Sequence, residues 1–334
     1  MTCKMLLFDF RDTEKQFFDK NKFDNFDIKF FKESLNEKML ENLTQEDFDN
    51  TMIISVFITS SINQKILEKF KNLRIISTRS TGYDHIDLQA CLNKNIALIN
   101  VEGYGNSSVA QFTFGLILIL IRNFFLTIQA VKNGTYTIGK FTGRNLNNLT
   151  IGIIGTGAIG AGVCQIASGF GMKILAYDVI PKQELIQKYN IQYLPLDNVL
   201  QNSDIITLHI PATKENYQIM SEDKFKLMKE NSYFINVSRG ELVKLEDLLK
   251  FIKNGKLLGV GLDVLSCNDN SNQTIEELAC LTNSETVKEL LACPNVIITP
   301  HIAYDTQEAV NTILKVTFEG LSDCICGGKK YRVI

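Results

Sequence analysis

This sequence has little of what marks a specialised function class. The formal net charge of its 334 residues is −2, so bulk charge recruits neither nucleic acid nor an anionic membrane. Eight cysteines contain no CxxC pair, Cys324 and Cys326 being the only close two, and none of the three histidines completes a zinc-like spacing. No metal is therefore expected, and the thiols read as reduced and mostly structural, as in a cytoplasmic protein. The opening MTCKMLLFDF meets charges of both signs within a dozen positions and lacks a signal-peptide profile. The most lipid-like run, 112–121, is stopped by Arg122 and is too short to cross a bilayer, which makes it a buried or interface helix. Pro- or Ser-rich linkers, low complexity and fixed-period repeats are all missing; 268–272 is polar enough to be a loop.

What remains is an ordinary globular composition, 45% hydrophobic and 22% charged, with length for about two domains. Short apolar runs at 5–10, 52–57, 74–78 and 97–101 read as strands, and 61–70 carries Ile62, Ile66, Leu67 and Phe70 at helical spacing. A second series runs through 150–154, 174–177, 191–194, 205–208, 233–237, 259–264 and 296–299. Strands alternating with helices predict parallel sheets covered on both faces, and two series predict two α/β domains joined within 101–148. The helical stretch 306–321 has no later βα unit to join, so it is free to return to the first domain.

The most informative stretch is 150–178, TIGIIGTGAIGAGVCQIASGFGMKILAYD. An apolar strand enters Gly155, Gly157 and Gly160, a helix follows, and a second strand ends on Asp178. Gly155 permits the tight turn, Gly157 lets the backbone approach a pyrophosphate, and Gly160 lets helix and strand pack closely. The helix N-terminus then holds the anion on free N–H groups. Asp178 stands near the spacing of roughly 20 residues expected of the acid that binds the adenosine ribose, and its charge repels a 2′-phosphate, which favours NAD over NADP. Lys182 is the one nearby group suited to a 2′-phosphate.

In an open α/β sheet, ligands bind beyond the carboxyl ends of the strands. His209 ends IITLH, His301 follows IITP, and Arg239 follows YFINVS, so all three belong to that edge; His85 lies in TGYDHID. A guanidinium can grip a carboxylate through two parallel hydrogen bonds, and an imidazole can exchange a proton with an alcohol or ketone.

GTGAIG with Asp178, LHIP at 208–211, NVSRGELV at 236–243, GVGLDV at 259–264 and TPHIAY at 299–304 together resemble the D-isomer-specific 2-hydroxyacid dehydrogenases, as do STRSTGYDHID at 77–87 and NVEGYGNSSVAQ at 100–111. The resemblance implies a Rossmann NAD-binding domain, 102–301, inserted into a discontinuous flavodoxin-like substrate domain, 1–101 with 302–334, and an active site in the cleft. It implies that Arg239 binds the substrate carboxylate and polarises the carbonyl, that His301 is the proton donor, and that N–H groups of Thr81 and Gly82 hold the carboxylate. Thr156, Gly157, Ala158 and Ile159 would meet the pyrophosphate, and Asp263 the nicotinamide amide. His209, Pro211, Asn216, Val237 and Ser238 would line the rest of the groove. Tyr104 and Tyr304 match aromatic positions that narrow the pocket in lactate-type members, which suits pyruvate. A homodimer is common in the family.

One position departs from the family pattern. A glutamate normally stands five residues after the aspartate of LDV and pairs with the histidine; here Asn268 stands there, and the interval to His301 is long. Without that charge His301 should titrate nearer the ordinary imidazole value of about 6.5, unless Glu276 or Glu277 supplies the carboxylate. Three readings follow: a reductase of pyruvate, a reductase of a larger or different 2-keto acid such as 2-ketoisocaproate, phenylpyruvate or hydroxypyruvate, and an NAD-sensing binding protein without chemistry. Asn268 favours the last; Arg239 and His301 oppose it.

Overall fold

The structure, a computed structural model, describes residues 2–268, 274–275 and 277–334, the side chains of 268, 274–275 and 277–279 excepted. The chain divides into two compact units, Met1–Tyr104 with Asp305–Ile334, and Gly105–Tyr304.

The first unit holds five strands: β1 (Cys3–Leu7), β2 (Phe26–Phe30), β3 (Ile53–Val56), β4 (Ile75–Thr78) and β5 (Ala97–Ile99). All pair in parallel, in the order β2-β1-β3-β4-β5, the flavodoxin-like doubly wound arrangement. Successive side chains point to opposite faces, and both faces are buried. Leu6, Ile54, Ile76 and Leu98 pack with Ile66 and Leu67 on one side. Met5, Leu7, Ile53, Ile75 and Ile99 pack with Phe318 and Leu321 on the other. That second face is covered by the helix Gln307–Ile325, whose Phe318 ring centroid lies 4.0 Å from that of Phe23. The edge strand β2 escapes the sequence reading. Its FDIKF alternates, yet it is short and mostly exposed, so no continuous apolar run marks it.

The second unit carries a seven-stranded parallel sheet of β6 (Thr150–Ile154), β7 (Lys173–Tyr177), β8 (Gln192–Tyr193), β9 (Ile205–Leu208), β10 (Ser232–Asn236), β11 (Leu257–Leu262) and β14 (Val296–Ile298). The order β14-β11-β10-β9-β6-β7-β8 places the topological switch between β6 and β9, as in dinucleotide-binding sheets. Ile206, Leu208, Phe234, Val260 and Leu262 from the central strands form one core with Phe225, Leu248 and Phe251. The helix Asn106–Ile121 buries eight residues, and Leu116 and Leu120 lie against the backbone of Gly261 and Gly259. It meets the helix Phe124–Lys132 at a bend of 59°, and no single helix among the described residues is long and apolar enough to cross a membrane.

A short antiparallel pair, β12 (Cys267–Asn268) with β13 (Thr274–Ile275), follows β11. It corrects one sequence expectation. Cys267 and Cys280 are joined by a disulfide, with Cα atoms 5.8 Å apart, so only six of the eight cysteines are free. The chain reversal between β12 and β13 returns the second cysteine to the first, which a separation of 13 residues does not reveal. Residues 269–272 of the polar stretch, the Asn268 side chain, Glu276 and the side chain of Glu277 fall outside the described residues.

Candidate active site

Six of the seven strands of this sheet, all but β8, end near a residue that the sequence singles out. Gly155 follows β6, Asp178 follows β7, His209 follows β9, Asp263 follows β11, and Arg239 and His301 stand three residues beyond β10 and β14.

The β6 turn is shaped by three glycines. Gly155 has φ +94°, where a side chain is strained, and a Cβ there would lie 2.5 Å from the His209 carbonyl oxygen. A Cβ at Gly160 would overlap the Gly155 carbonyl oxygen, whereas one at Gly157 would meet nothing within 4 Å. Gly157 is the N-cap residue of the helix Ala158–Gly169, whose start no side chain caps. Its first N–H groups, on Ala158 and Ile159 among others, thus have no intrahelical acceptor and stand at the positive end of the helix dipole.

Asp178 is tied to this turn. Its Oδ2 accepts the Thr156 N–H at 2.6 Å and the Thr156 hydroxyl at 2.9 Å, and its Oδ1 accepts the Ile180 N–H at 3.0 Å. Burial pushes the carboxyl up, but these hydrogen bonds and the Lys182 charge outweigh it, and the group is held below the usual carboxylate range. The carboxylate keeps lone pairs for a ribose and a full negative charge. Tyr193, at the end of β8, shares a hydrogen bond with the Thr156 hydroxyl at 2.8 Å and accepts the Lys182 N–H at 3.1 Å. Sequence reasoning missed Tyr193; its position beside β7 was the only signal. An uncapped helix start, an open glycine and an ionised acid fit NAD, whose pyrophosphate and ribose need those groups.

The remaining groove residues brace one another. His209 pairs through Nε2 with the Thr207 hydroxyl at 2.9 Å, and burial pushes its ring down to about 3, so it is neutral. Asn216 donates to the Pro211 carbonyl at 2.7 Å and accepts the Thr213 N–H at 2.7 Å, which folds 211–216 into a compact turn. After β10, fully buried Asn236 donates to the Arg239 carbonyl at 2.8 Å and accepts the Ser238 N–H at 3.1 Å. The Ser238 hydroxyl donates to the Ile210 carbonyl at 2.5 Å, Val237 is buried, and Arg239 Nη1 donates to the Ser238 carbonyl at 2.8 Å.

His301 is presented by Asp263. The Asp263 carboxylate, 1% exposed, accepts the Thr299 hydroxyl at 2.5 Å and the N–H groups of Ile302 at 3.0 Å and Ala303 at 2.8 Å. The His301 N–H donates to the Asp263 carbonyl at 2.9 Å, and His301 itself has φ +53°. Burial pushes the Asp263 carboxyl up against these hydrogen bonds and the His301 charge. Both its oxygens are engaged within this turn, a use the sequence did not suggest beside the expected nicotinamide contact. Tyr304 is buried and lies 3.2 Å from the Cβ position of Gly105.

In the first unit, β4 ends in the turn that holds Thr81 and Gly82. Asn100 Nδ2 donates to the Thr81 carbonyl at 2.9 Å, the Thr81 hydroxyl donates to the Val101 carbonyl at 2.9 Å, and the Ser80 hydroxyl donates to the Gly82 carbonyl at 2.6 Å. The carbonyls are thus held, while no group among the described residues accepts the Thr81 or Gly82 N–H. Such a pair of outward N–H groups suits an anion. Behind it, His85 Nε2 lies 3.2 Å from the Thr78 hydroxyl, and burial pushes the ring down to about 4. Tyr104 ends this unit's first segment. No cluster of three or more metal-ligating side chains occurs among the described residues.

A flavodoxin-like sheet, a dinucleotide-binding sheet, and an arginine, an aspartate and a histidine at three adjacent strand ends define an NAD-dependent oxidoreductase acting on a CH–OH group. The model of the NAD-binding domain of D-isomer specific 2-hydroxyacid dehydrogenases matches residues 114–303, and the chain belongs to that family. It is 35% identical over 275 residues to an aromatic 2-oxoacid reductase of Clostridium sporogenes, covering 81% of this chain and 82% of the relative. Among solved structures it resembles D-lactate dehydrogenase from Aquifex aeolicus complexed with NAD and lactic acid, with TM-score 0.85, 31% identity and 98% of each chain covered. It also resembles D-2-hydroxyisocaproate dehydrogenase, with TM-score 0.84, 30% identity and 99% of each chain covered. The protein is an NAD-dependent D-2-hydroxyacid dehydrogenase that acts on small 2-keto or 2-hydroxy acids.

Proposed function

We propose that the chain works mainly as a pyruvate reductase that forms D-lactate. The observation that carries the residue roles is the Asp263 turn, which fixes the His301 backbone through both of its flanking peptide groups. NADH supplies the hydride. His301 gives a proton to the keto oxygen as the carbonyl carbon is reduced, and Arg239 binds the carboxylate and stabilises charge growing on that oxygen. The N–H groups of Thr81 and Gly82 take the same carboxylate. Gly155 to Gly160, Asp178 and the braces at His209, Pro211, Asn216, Val237 and Ser238 hold the dinucleotide, with the Asp263 main chain and carboxylate toward its nicotinamide end.

Support for pyruvate comes from Tyr104 and Tyr304 in the lactate-type positions and from the likeness to the Aquifex enzyme complexed with lactic acid. Identity to the aromatic 2-oxoacid reductase favours a second reading, a larger keto acid in the same site. NADH oxidation against a panel of 2-keto acids, with chiral analysis of the product, tests both. Fastest turnover with pyruvate and a D-lactate product is expected; a higher kcat/KM for phenylpyruvate or 2-ketoisocaproate moves the substrate to the second reading. Binding of NADH with no turnover of any keto acid overturns the enzyme assignment of His301 and Arg239.

The same reading includes a cytoplasmic homodimer. Phe124, Phe125, Ile128 and Val131 on one helix, with Tyr136 and Ile138 beyond it, are exposed apolar side chains in one short segment, as an interface provides. Sedimentation showing only monomer at micromolar concentration removes the dimer.

A further inference from the structure

The chain after β11 does two things within a few residues. Asp263 holds the His301 turn, and Leu265–Ser266 lies directly against the backbone that follows Arg239. A Cβ at Gly240 would overlap the Leu265 carbonyl carbon and the Ser266 amide nitrogen, so the two segments touch main chain to main chain. The very next residue, Cys267, is covalently tied to Cys280 in the helix Glu277–Asn283. Cys280 is fully buried in the sheet's core cluster, with Val287 and Leu290 in the same cluster. The disulfide therefore anchors the far end of the Leu265–Ser266 segment to the core.

We propose that Cys267 and Cys280 form a reversible redox site that sets how firmly this segment is held against the Arg239 turn, and thereby sets affinity for the 2-keto acid carboxylate while leaving dinucleotide binding alone. The proposal rests on the assignment of Arg239 to the substrate carboxylate. In a cytoplasmic enzyme a disulfide is characteristically a transient, redox-sensing bond. The balance is ordinary thiol–disulfide exchange with a low-molecular-weight disulfide such as glutathione disulfide. The Cys267 thiolate attacks one sulfur of that disulfide and expels one thiol; the Cys280 thiolate then attacks Cys267 and expels the second. Two protein thiols lose two protons and two electrons, one S–S bond forms, and one small disulfide becomes two thiols. Reduction runs the reverse course and starts at Cys267, which is half-buried, rather than at Cys280.

Selectivity for this pair follows from the other cysteines. Cys91 and Cys164 are buried, and burial pushes their thiols up to about 11 and about 12, which makes them poor nucleophiles. Cys3 is buried as well. Cys326 is exposed and Cys293 and Cys324 are half-buried, so these three competitors are replaced by Ser before the measurement.

The experiment equilibrates the full-length protein in buffers of fixed glutathione to glutathione-disulfide ratio and follows three readouts. Alkylation and peptide mass analysis should find Cys267 and Cys280 linked in the oxidised form and free in the reduced one. The KM for the best keto acid should rise about three- to tenfold on reduction, with the dissociation constant of NADH changed less than about twofold; tenfold corresponds to roughly 1.4 kcal/mol. Cys267→Ser and Cys280→Ser should both stay at the reduced value and ignore glutathione; Cys267→Ser keeps the test open if loss of the buried sulfur unfolds the other variant. Amide hydrogen exchange at Leu265, Ser266 and Glu241 should quicken on reduction. Thiols that stay free at every ratio, or exchange rates equal in the two forms, overturn the proposal. Faster exchange without any keto-acid turnover keeps the redox site and rejects the assignment of Arg239 instead.

Discussion

The turn after β6 and the turn after β14 lie on one sheet edge and are built by opposite means. The first is made locally: Gly155 bends the chain, Gly160 admits the Gly155 carbonyl, and the helix that follows supplies uncapped N–H groups. The second is made at a distance, by a buried carboxylate 38 positions earlier in the chain that accepts two backbone N–H groups and a hydroxyl around His301. A turn built from glycines tolerates almost any neighbour, whereas a turn hung on one carboxylate depends on it. The binding turn should therefore lose function by steric intrusion, and the catalytic turn by loss of a hydrogen-bond acceptor.

The largest expected effect breaks the second turn. Asp263→Ala leaves the Ile302 and Ala303 N–H groups and the Thr299 hydroxyl without their acceptor, at about 1–3 kcal/mol for each buried group. Since these groups flank the proton donor, kcat should fall by roughly 10²- to 10³-fold. Steady-state kinetics beside an NADH titration separates this from a failure to bind. A kcat within about threefold of the parent would show that His301 holds its place without Asp263.

Legibility in the sequence divides along the same line. Gly155, Gly157, Gly160 and Asp178 could be read because strand, turn and helix there follow one another in the chain. Arg239, Asp263 and His301 could be named as strand-end residues, and their motifs matched a family, but the hydrogen bonds that make Asp263 a brace join residues far apart and leave no periodic trace. The same holds for Asn236 behind Arg239 and for the Cys267–Cys280 bond, which needs the reversal at β12 and β13. Strand β2 was missed for a different reason: its exposed edge position weakens the apolar signal that marked β1, β3 and β4.

Each unit also carries one imidazole kept neutral by burial, His85 near the Thr81 turn and His209 beneath the Gly155 turn. Their folded values, about 4 and about 3, lie below the ordinary 6.5. Between the folded and the unfolded value the unfolded chain binds the proton and the folded chain does not, so stability rises with pH across that window. It is complete above about pH 6.5 and is lost as pH falls toward 4, on the order of 3 kcal/mol for each ring. Denaturant unfolding from pH 7 to 4 should show this slope, and His209→Asn, which keeps a partner for Thr207, should flatten it. An unchanged slope in that variant would assign the acid sensitivity to other groups.

Sharpening the first turn takes a single methyl. Gly160→Ala drives a Cβ into the Gly155 carbonyl oxygen, and such overpacking costs about 1–3 kcal/mol. Part of that cost appears as a pushed-aside pyrophosphate turn, so NADH should bind about tenfold more weakly, a loss of roughly 1.4 kcal/mol. Gly157→Ala meets open space and needs no neighbour to move, so any loss of NADH affinity there reports the ligand's own volume. Equal fold stability in the two variants would remove the distinction between a glycine needed by the protein and one needed by the ligand.

The smallest effects separate Asp178 from its supports. Asp178→Asn removes the charge that repels a 2′-phosphate, so the preference for NADH over NADPH should shrink by about tenfold, or roughly 1.4 kcal/mol. Tyr193→Phe leaves that charge in place and removes only the phenol oxygen shared by Thr156 and Lys182. A hydrogen bond of this kind contributes about 0.5–1.5 kcal/mol net. The Tyr193→Phe loss should therefore be about threefold and equal for the two dinucleotides, because the phenol positions the Thr156 turn and carries no charge to distinguish them. If NADPH gains on NADH in this variant, Tyr193 acts through Asp178, and the local turn after β6 depends on a distant residue just as the turn after β14 does.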